Sequence, residues 1–460
     1  MLKAKPLTLL MAFILAGCTS LAPDYQAPEN VVPQQFSLSS GTLVATGSSG
    51  QQTGWQTFFV DPQVRRLIDV ALRNNRDLRM AMLNVEAARA QYNVTDAGRY
   101  PQLDGASAAN YKGDLQGRDA TAKSYDVGLN LSYELDFFGK LKNMSEADRQ
   151  NVFASQAAQR AAQIVVVTNV SQAYFNQRRL AAQLTIAHET LRNYQQSYGF
   201  VEQQLVTGST NVLALEQARG VMESTRADIA KREGELAQAN HLLQQLLGTY
   251  NTTLNDHPQS GVVKPLALPA NLPSTILLQR PDIMEAEHQL RAADANIGVA
   301  RAAFFPSITL TSGVSTSSGS LSSLFNAASG MWSFVPKIDL PIFNAGRNEA
   351  NLALANVKQR QAAVSYEQKI QAAFKEVADA LSLRDSIEGQ LIAQQRYLTS
   401  LQITLQRARA LYASGAVSYI EVLDAERSIF TTQQAILDLV YSQQVNEINL
   451  FSALGGGWKA

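Results

Sequence analysis

Tyr125-Asp126-Val127-Gly128-Leu129-Asn130-Leu131-Ser132-Tyr133-Glu134-Leu135-Asp136-Phe137 alternates apolar with small or polar residues without a break. Side chains along a β-strand point to opposite faces in turn, so this run predicts a strand with one apolar and one wet face. We place it at about 124–137 and its weaker partner at about 101–111, with the polar stretch Gly113 to Lys123 as the loop between them. About ten residues suffice for a tilted strand to cross a membrane, and aromatic residues at both ends suit the two interfaces. The same alternation also suits a half-buried sheet of a soluble domain.

Outward from this strand, the chain repeats itself. Asp77 pairs with Asp282 and Pro101 with Pro306 at an offset of 205; Gly139 with Gly346, Gly208 with Gly415 and Gly248 with Gly455 at 207. Each copy reads helix, two strands, long helix, shorter helix, which makes two copies of one unit and not a solenoid. The second copy's strands are expected at about 306–316 and 331–343, with Trp332, Phe334, Ile338 and Ile342 on one face. Repeat 1 spans 61–248 and repeat 2 spans 274–455, joined by a linker at 249–273.

The long helices carry a heptad. Leu180, Leu184, Ala187, Leu191, Tyr194, Tyr198, Val201 and Leu205 fall at alternating spacings of four and three. Ile387, Leu391, Gln394, Leu398, Leu401, Leu405, Ala408 and Tyr412 repeat the same register. That 3.5-residue period predicts coiled-coil packing. The helices are expected at 144–206 and 347–413, each followed by a glycine, a capping residue (Asn211 or Ser418) and a shorter helix at 211–247 or 418–454. Each long helix would run roughly 90 Å, a length that a short helix (Arg76 to about Gly98, or Asp282 to Ala303) and the returning helix match end to end. The turns after Gly208 and Gly415 should then lie together at the far end.

Four strands cannot close a barrel, and open strand edges are not tolerated in lipid. Other copies of the chain must complete it: two protomers would make eight strands, three would make twelve.

At the N-terminus, Lys3 and Lys5 precede an apolar run from Leu7 to Leu15 that is too short to span a bilayer, followed by Leu15-Ala16-Gly17-Cys18. This reads as an export signal over 1–17. The chain from 18 to 60 reads as an extended leader, rich in Pro, Ser and Gly.

Composition excludes several classes. Lys plus Arg and Asp plus Glu both number 39, against the basic excess a nucleic-acid binder needs. One Cys allows neither an internal disulfide nor a thiolate cage, and His188, His241, His257, His288 and the eight Met show no ligand spacing. No nucleophile elbow or phosphate loop appears, so an enzyme is not expected.

The chain resembles the TolC-like outer-membrane efflux channels over essentially its whole length. The resemblance is carried by Leu15 to Cys18 with Leu21-Ala22-Pro23-Asp24-Tyr25, by Ala302-Ala303-Phe304-Phe305-Pro306-Ser307, by Phe343-Asn344-Ala345-Gly346-Arg347, by Gly415 with Val422-Leu423-Asp424-Ala425, and by Ala453-Leu454-Gly455-Gly456. Asp136-Phe137-Phe138-Gly139 and Leu278 to Glu287 are most similar to the CusC/SilC-type copper and silver efflux lipoproteins.

The resemblance implies a mainly helical fold with a membrane β-barrel portion. Three protomers would form a twelve-strand barrel and a twelve-helix periplasmic tunnel, with an equatorial belt that includes the linker. It implies a lipid, with palmitate, on Cys18 as the only covalent group, no cofactor, and outer-membrane localisation. It further implies a passive conduit serving a periplasmic adaptor and an inner-membrane pump of the RND type. Substrate is expected to be copper or silver ions; related channels built alike export organic compounds. A lipid-anchored coiled-coil adaptor is the other functional class considered, and it leaves the four strands unexplained.

The resemblance also assigns sites. Gly208, Ser209, Gly415 and Ala416 would form the adaptor-docking tip. Glu421 and Asp424, at i and i+3 on one helical face, would line the periplasmic gate and favour cations, with Tyr412 helping to hold the closed state. The chain departs from the family where relatives carry a gate-locking Arg: it has Val417 there, and Ala214 and Gln217 at the corresponding places of repeat 1. Ser418 and Glu421 also read as a capping box.

Overall fold

The computed structural model describes residues 20–26, 28, 31–36, 54–113, 122–250, 263, 265–266, 268 and 272–456. Cys18, the signal over 1–17 and most of the 249–273 linker lie outside the described residues. In chain order the main elements are α1 (Pro62–Asn74), α2 (Arg76–Ala97), β1 (Gln102–Lys112), β2 (Ala122–Leu135), α3 (Lys140–Val206) and α4 (Val212–Leu247). They continue with α5 (Pro281–Ala302), β3 (Ser307–Ser318), β4 (Gly330–Asp339), α6 (Arg347–Ala413) and α7 (Tyr419–Ala453).

The chain divides into two compact units. One comprises Met1–Glu29, Leu83–Ala157 and Met284–Lys369 and contains the sheet; the other comprises Asn30–Met82, Ala158–Ile283 and Ile370–Ala460.

The long helices α3 and α6 each have 67 residues. Helix α3 begins at Lys140, four residues before the expected 144, because Gly139 (φ 70°) makes the turn directly out of the strand region. Strand β2 ends at Leu135 and β4 at Asp339, short of the expected 137 and 343, and Pro341, which lacks an N–H to donate, follows β4. Helix α1 was not foreseen. Its start is fixed by Pro62 at the first position and by Asp61, whose carboxylate accepts from Gln63 N at 2.8 Å.

In the second unit, the heptad positions are the buried face. Leu180, Ala187, Tyr194 and Val201 are buried with Leu184, Leu191, Tyr198 and Leu205 half-buried between them, and Ile387, Leu401 and Ala408 are buried likewise in α6. Phe58 stacks on Phe451 at 4.2 Å between centroids. Leu266 is pinned at both backbone groups: Glu447 accepts from its N–H at 3.0 Å and Arg384 donates to its carbonyl at 3.1 Å, while the two side chains pair with each other at 2.5 Å.

Candidate functional site

Strands β1 to β4 form one antiparallel sheet in sequence order. Register decides its chemistry. Leu103 pairs with Leu131, Leu129 with Val314, Leu135 with Ile308, Ile308 with Ile338 and Val314 with Trp332, so these side chains share one face. Asp104 pairs with Asn130, Asp126 with Ser317, Glu134 with Thr309 and Thr309 with Lys337 on the opposite face. The apolar face lies open: Trp332 is 80% exposed and Phe334 57%. The polar face is cross-linked, Asp126 accepting from Ser317 Oγ at 2.5 Å, Ser124 Oγ at 3.1 Å and Asn110 at 3.2 Å. Gly128 keeps the sheet close there, since a Cβ would sit 2.9 Å from that of Ser315. Among the described residues, the outer edges of β1 and β4 have no strand beside them.

The helical turns in the second unit have defined geometry. After α3, Gly208 (φ 73°) donates to Leu205 O at 3.0 Å and Ser209 N to Gln204 O at 2.8 Å; after α6, Gly415 (φ 77°) donates to Tyr412 O and Ala416 N to Leu411 O, both at 2.9 Å. Both are Schellman turns. Nothing lies within 4 Å of a Cβ at either glycine, so backbone conformation alone requires them. Asn211 caps α4 by accepting from Ala214 N at 3.0 Å. Ser418 makes no side-chain cap to α7, so the expected capping box does not form; the Glu421 N–H reaches the Ser418 carbonyl at 3.3 Å instead.

Glu421 and Asp424 are exposed on α7, and Asp424 accepts from Arg427 at 3.3 Å. Tyr412 donates to Gln204 Oε1 at 2.6 Å and so links α6 to α3. This link is a neutral hydrogen bond, five residues along the chain from Val417. Sequence reading missed Gln204 and also the pair Arg409–Glu426, with Nη2 to Oε1 at 2.6 Å. The signal was present: at the repeat offset, Arg409 and Glu426 correspond to Glu202 and Arg219, the same stations with charges exchanged. Among the described residues no three His, Cys, Asp or Glu converge as a metal cage, and no helix is long and apolar enough to cross a membrane.

The model of the family described as "Outer membrane efflux protein" matches residues 67–249 and 272–456, one match for each repeat. The chain is 69% identical to the probable outer membrane lipoprotein SilC of Salmonella typhimurium, with 100% of both chains covered. It is 65% identical to the cation efflux system protein CusC of Escherichia coli strain K12, over 98% of this chain and 99% of that one. A crystal structure of CusC superposes with a TM-score of 0.89 over 95% of this chain and 100% of the other, at 65% identity. The open state of the Neisseria gonorrhoeae MtrE outer membrane channel gives 0.87 at 35% identity, over 96% and 99%. A duplicated unit, a two-faced sheet and full-length identity agree: the chain belongs to the outer membrane efflux protein family.

Proposed function

We propose that the chain is one protomer of a trimeric, passive conduit that exports copper or silver ions across the outer membrane. The observation that carries this reading is the sheet, with an open apolar face, a polar face and two unpaired edges. Three copies would close twelve strands with the apolar faces to lipid and the polar faces to a water-filled lumen. CusC, a cation efflux system protein similar over its full length, supports the ionic substrate. The toluene efflux pump outer membrane protein TtgF of Pseudomonas putida, 41% identical over 99% of this chain, supports an organic substrate as the second reading.

In this reading Cys18 carries the lipid anchor, and the conduit performs no chemistry of its own. Gly208, Ser209, Gly415 and Ala416 meet a periplasmic adaptor that joins the channel to an inner-membrane pump. Glu421 and Asp424 from three protomers give six carboxylates round one axis, which concentrate cations and repel anions. Tyr412 with Gln204 holds the closed form.

Purified protein in a planar bilayer should give discrete conductance steps and run as a trimer in mild detergent. A non-conducting monomer would sink the proposal and favour an adaptor role. Restored silver tolerance in a strain lacking its own channel, without restored solvent tolerance, would separate the two substrates. Cys18→Ser should abolish labelling by radioactive palmitate and leave the trimer intact.

A further inference from the structure

The two repeats correspond residue by residue through the sheet, at an offset of 205 for the first strand of each (Pro101 with Pro306) and 207 for the second (Gly139 with Gly346). The hairpins obey these offsets. Gln102 pairs with Ser132, and the offsets carry that pair to Ser307 and Asp339, which pair in the second hairpin. At the other end, Tyr111 with Lys123 goes to Thr316 with Gly330, again a pair in the sheet. Between the repeats lies one further junction, β2 against β3. Strand β4 is the counterpart of β2, and β1 is the counterpart of β3. The β2–β3 register therefore maps onto a pairing of the free β4 edge with a β1 edge that only a second copy can bring. Asn130 with Gly313 becomes Lys337 with Ala108, Leu131 with Ser312 becomes Ile338 with Ser107, and Val127 with Thr316 becomes Phe334 with Tyr111.

We infer that a second copy of this chain pairs its β1 edge antiparallel with the β4 edge in this register, with Phe334 opposite Tyr111 and Ile342 opposite Leu103. The inference rests on the closed barrel proposed above and adds which edge meets which, and where along the strands. Two observations independent of the offsets agree with it. The first is the division of faces. In this register Phe334, Ile338 and Ile342 fall on the same side as Leu103 and Tyr111, while Lys337 meets Ala108 on the polar side. A slip of one residue would turn Leu103 and Tyr111 to the wet face. The second is an unfinished aromatic cluster. Tyr111 meets Tyr125 edge-on at 6.1 Å between centroids, with the hydroxyls 3.1 Å apart, yet Tyr111 stays 60% exposed. Phe334 from the neighbouring copy would add a third ring, at the end of the strands where a membrane barrel carries its aromatic girdle. A slip of two residues keeps the faces but sets Phe334 opposite Ala109 or Gly113 and leaves Tyr111 without it.

The test is disulfide linkage in the full-length protein, in isolated outer membranes treated with dithiodipyridine. Lys337→Cys with Ala108→Cys should give a covalent trimer on denaturing gels that reductant collapses, while either single variant stays a monomer. Lys337 and Ala108 are both exposed in the single chain, and Lys337 gives up only an exposed pair with Asp339 at 2.7 Å. Moving the second cysteine to Ala106 or Asn110 should lower the yield by about fivefold, because diagonal partners lie roughly 7–8 Å apart, beyond what a disulfide spans without backbone movement. Ile338→Cys with Ser107→Cys, on the other face, repeats the measurement should the first pair disturb assembly. A conducting trimer whose yield peaks at Ala106 or Asn110, or that links at neither predicted pair, overturns the register and leaves the conduit standing. A non-conducting monomer without links overturns both.

Discussion

In repeat 1, Glu202 and Arg219 stand seventeen residues apart and both remain in water, where Arg219 pairs with Glu216 at 2.8 Å and donates to Tyr198 at 3.1 Å. In repeat 2 the same stations hold Arg409 and Glu426, and the carboxylate is buried. The cause lies in the returning helices. Buried residues of α4 near its start (Ala214, Ala218, Val221, Thr225) follow one stripe; those of α7 (Tyr419, Val422, Leu423, Ala425, Glu426) cover two. Helix α7 is covered on a broader face, so a position that is solvated in α4 is enclosed in α7. Two hairpins with the same heptad can therefore differ in whether the packing encloses a carboxylate.

The largest expected effect tests the turns themselves. Ser209→Arg or Ala416→Arg places a bulky charge at the tip while leaving the Schellman glycines untouched. Silver tolerance should be lost in both, with assembled trimer still present in the outer-membrane fraction. Retained tolerance would argue against the proposed docking at these turns.

The next effect sharpens the comparison between the repeats. Arg409→Glu leaves a buried carboxylate facing its like, and losing one partner of a buried pair costs about 3 to 5 kcal/mol, reduced here because Arg409 is itself half in water. Glu202→Arg, on the exposed side, should change stability by no more than about 0.5 kcal/mol. Thermal unfolding of the two variants side by side should rank them in that order; equal shifts would mean that the burial of Glu426 has no energetic weight.

A smaller effect concerns selectivity. Glu421→Gln with Asp424→Asn should move the reversal potential under a salt gradient toward that of an unselective pore. The trimer should remain intact, because neither side chain is buried. Unchanged selectivity with lowered thermal stability would leave the two acids as helix-terminal charges that favour the dipole. The smallest effect is Gly208→Ala against Gly415→Ala. Each forces an L residue into a left-handed conformation without any clash, so each should cost about 1 kcal/mol, and nearly the same in both repeats.

Much of the fold was legible because periodicity is a local property. Seven apolar odd positions from Tyr125 to Phe137 announced β2, and the spacing of Leu180 to Leu205 announced the buried stripe of α3. Element ends were less legible: Lys140 to Asn143 carry no strong helical period, yet Gly139 lets the helix start at once. Ser418 looked like a cap from its type and spacing, but whether a hydroxyl turns toward its own helix depends on the rotamer its surroundings favour. Gln204 was illegible as a partner, since Tyr412 lies 208 residues from it and nothing in a chain marks which distant helix will face it.

Taken alone, the sequence determined the duplication, the two-faced strands, the coiled-coil stripes and the left-handed glycines, all set by residue type at fixed short spacing. Tertiary structure decided strand register, which gathers Leu129, Val314 and Trp332 on one face, and helix neighbours, which enclose Glu426 and set Tyr412 against Gln204. The physical reason is that side-chain direction along an element repeats every two or 3.6 residues, whereas burial and partnership depend on what another element brings alongside.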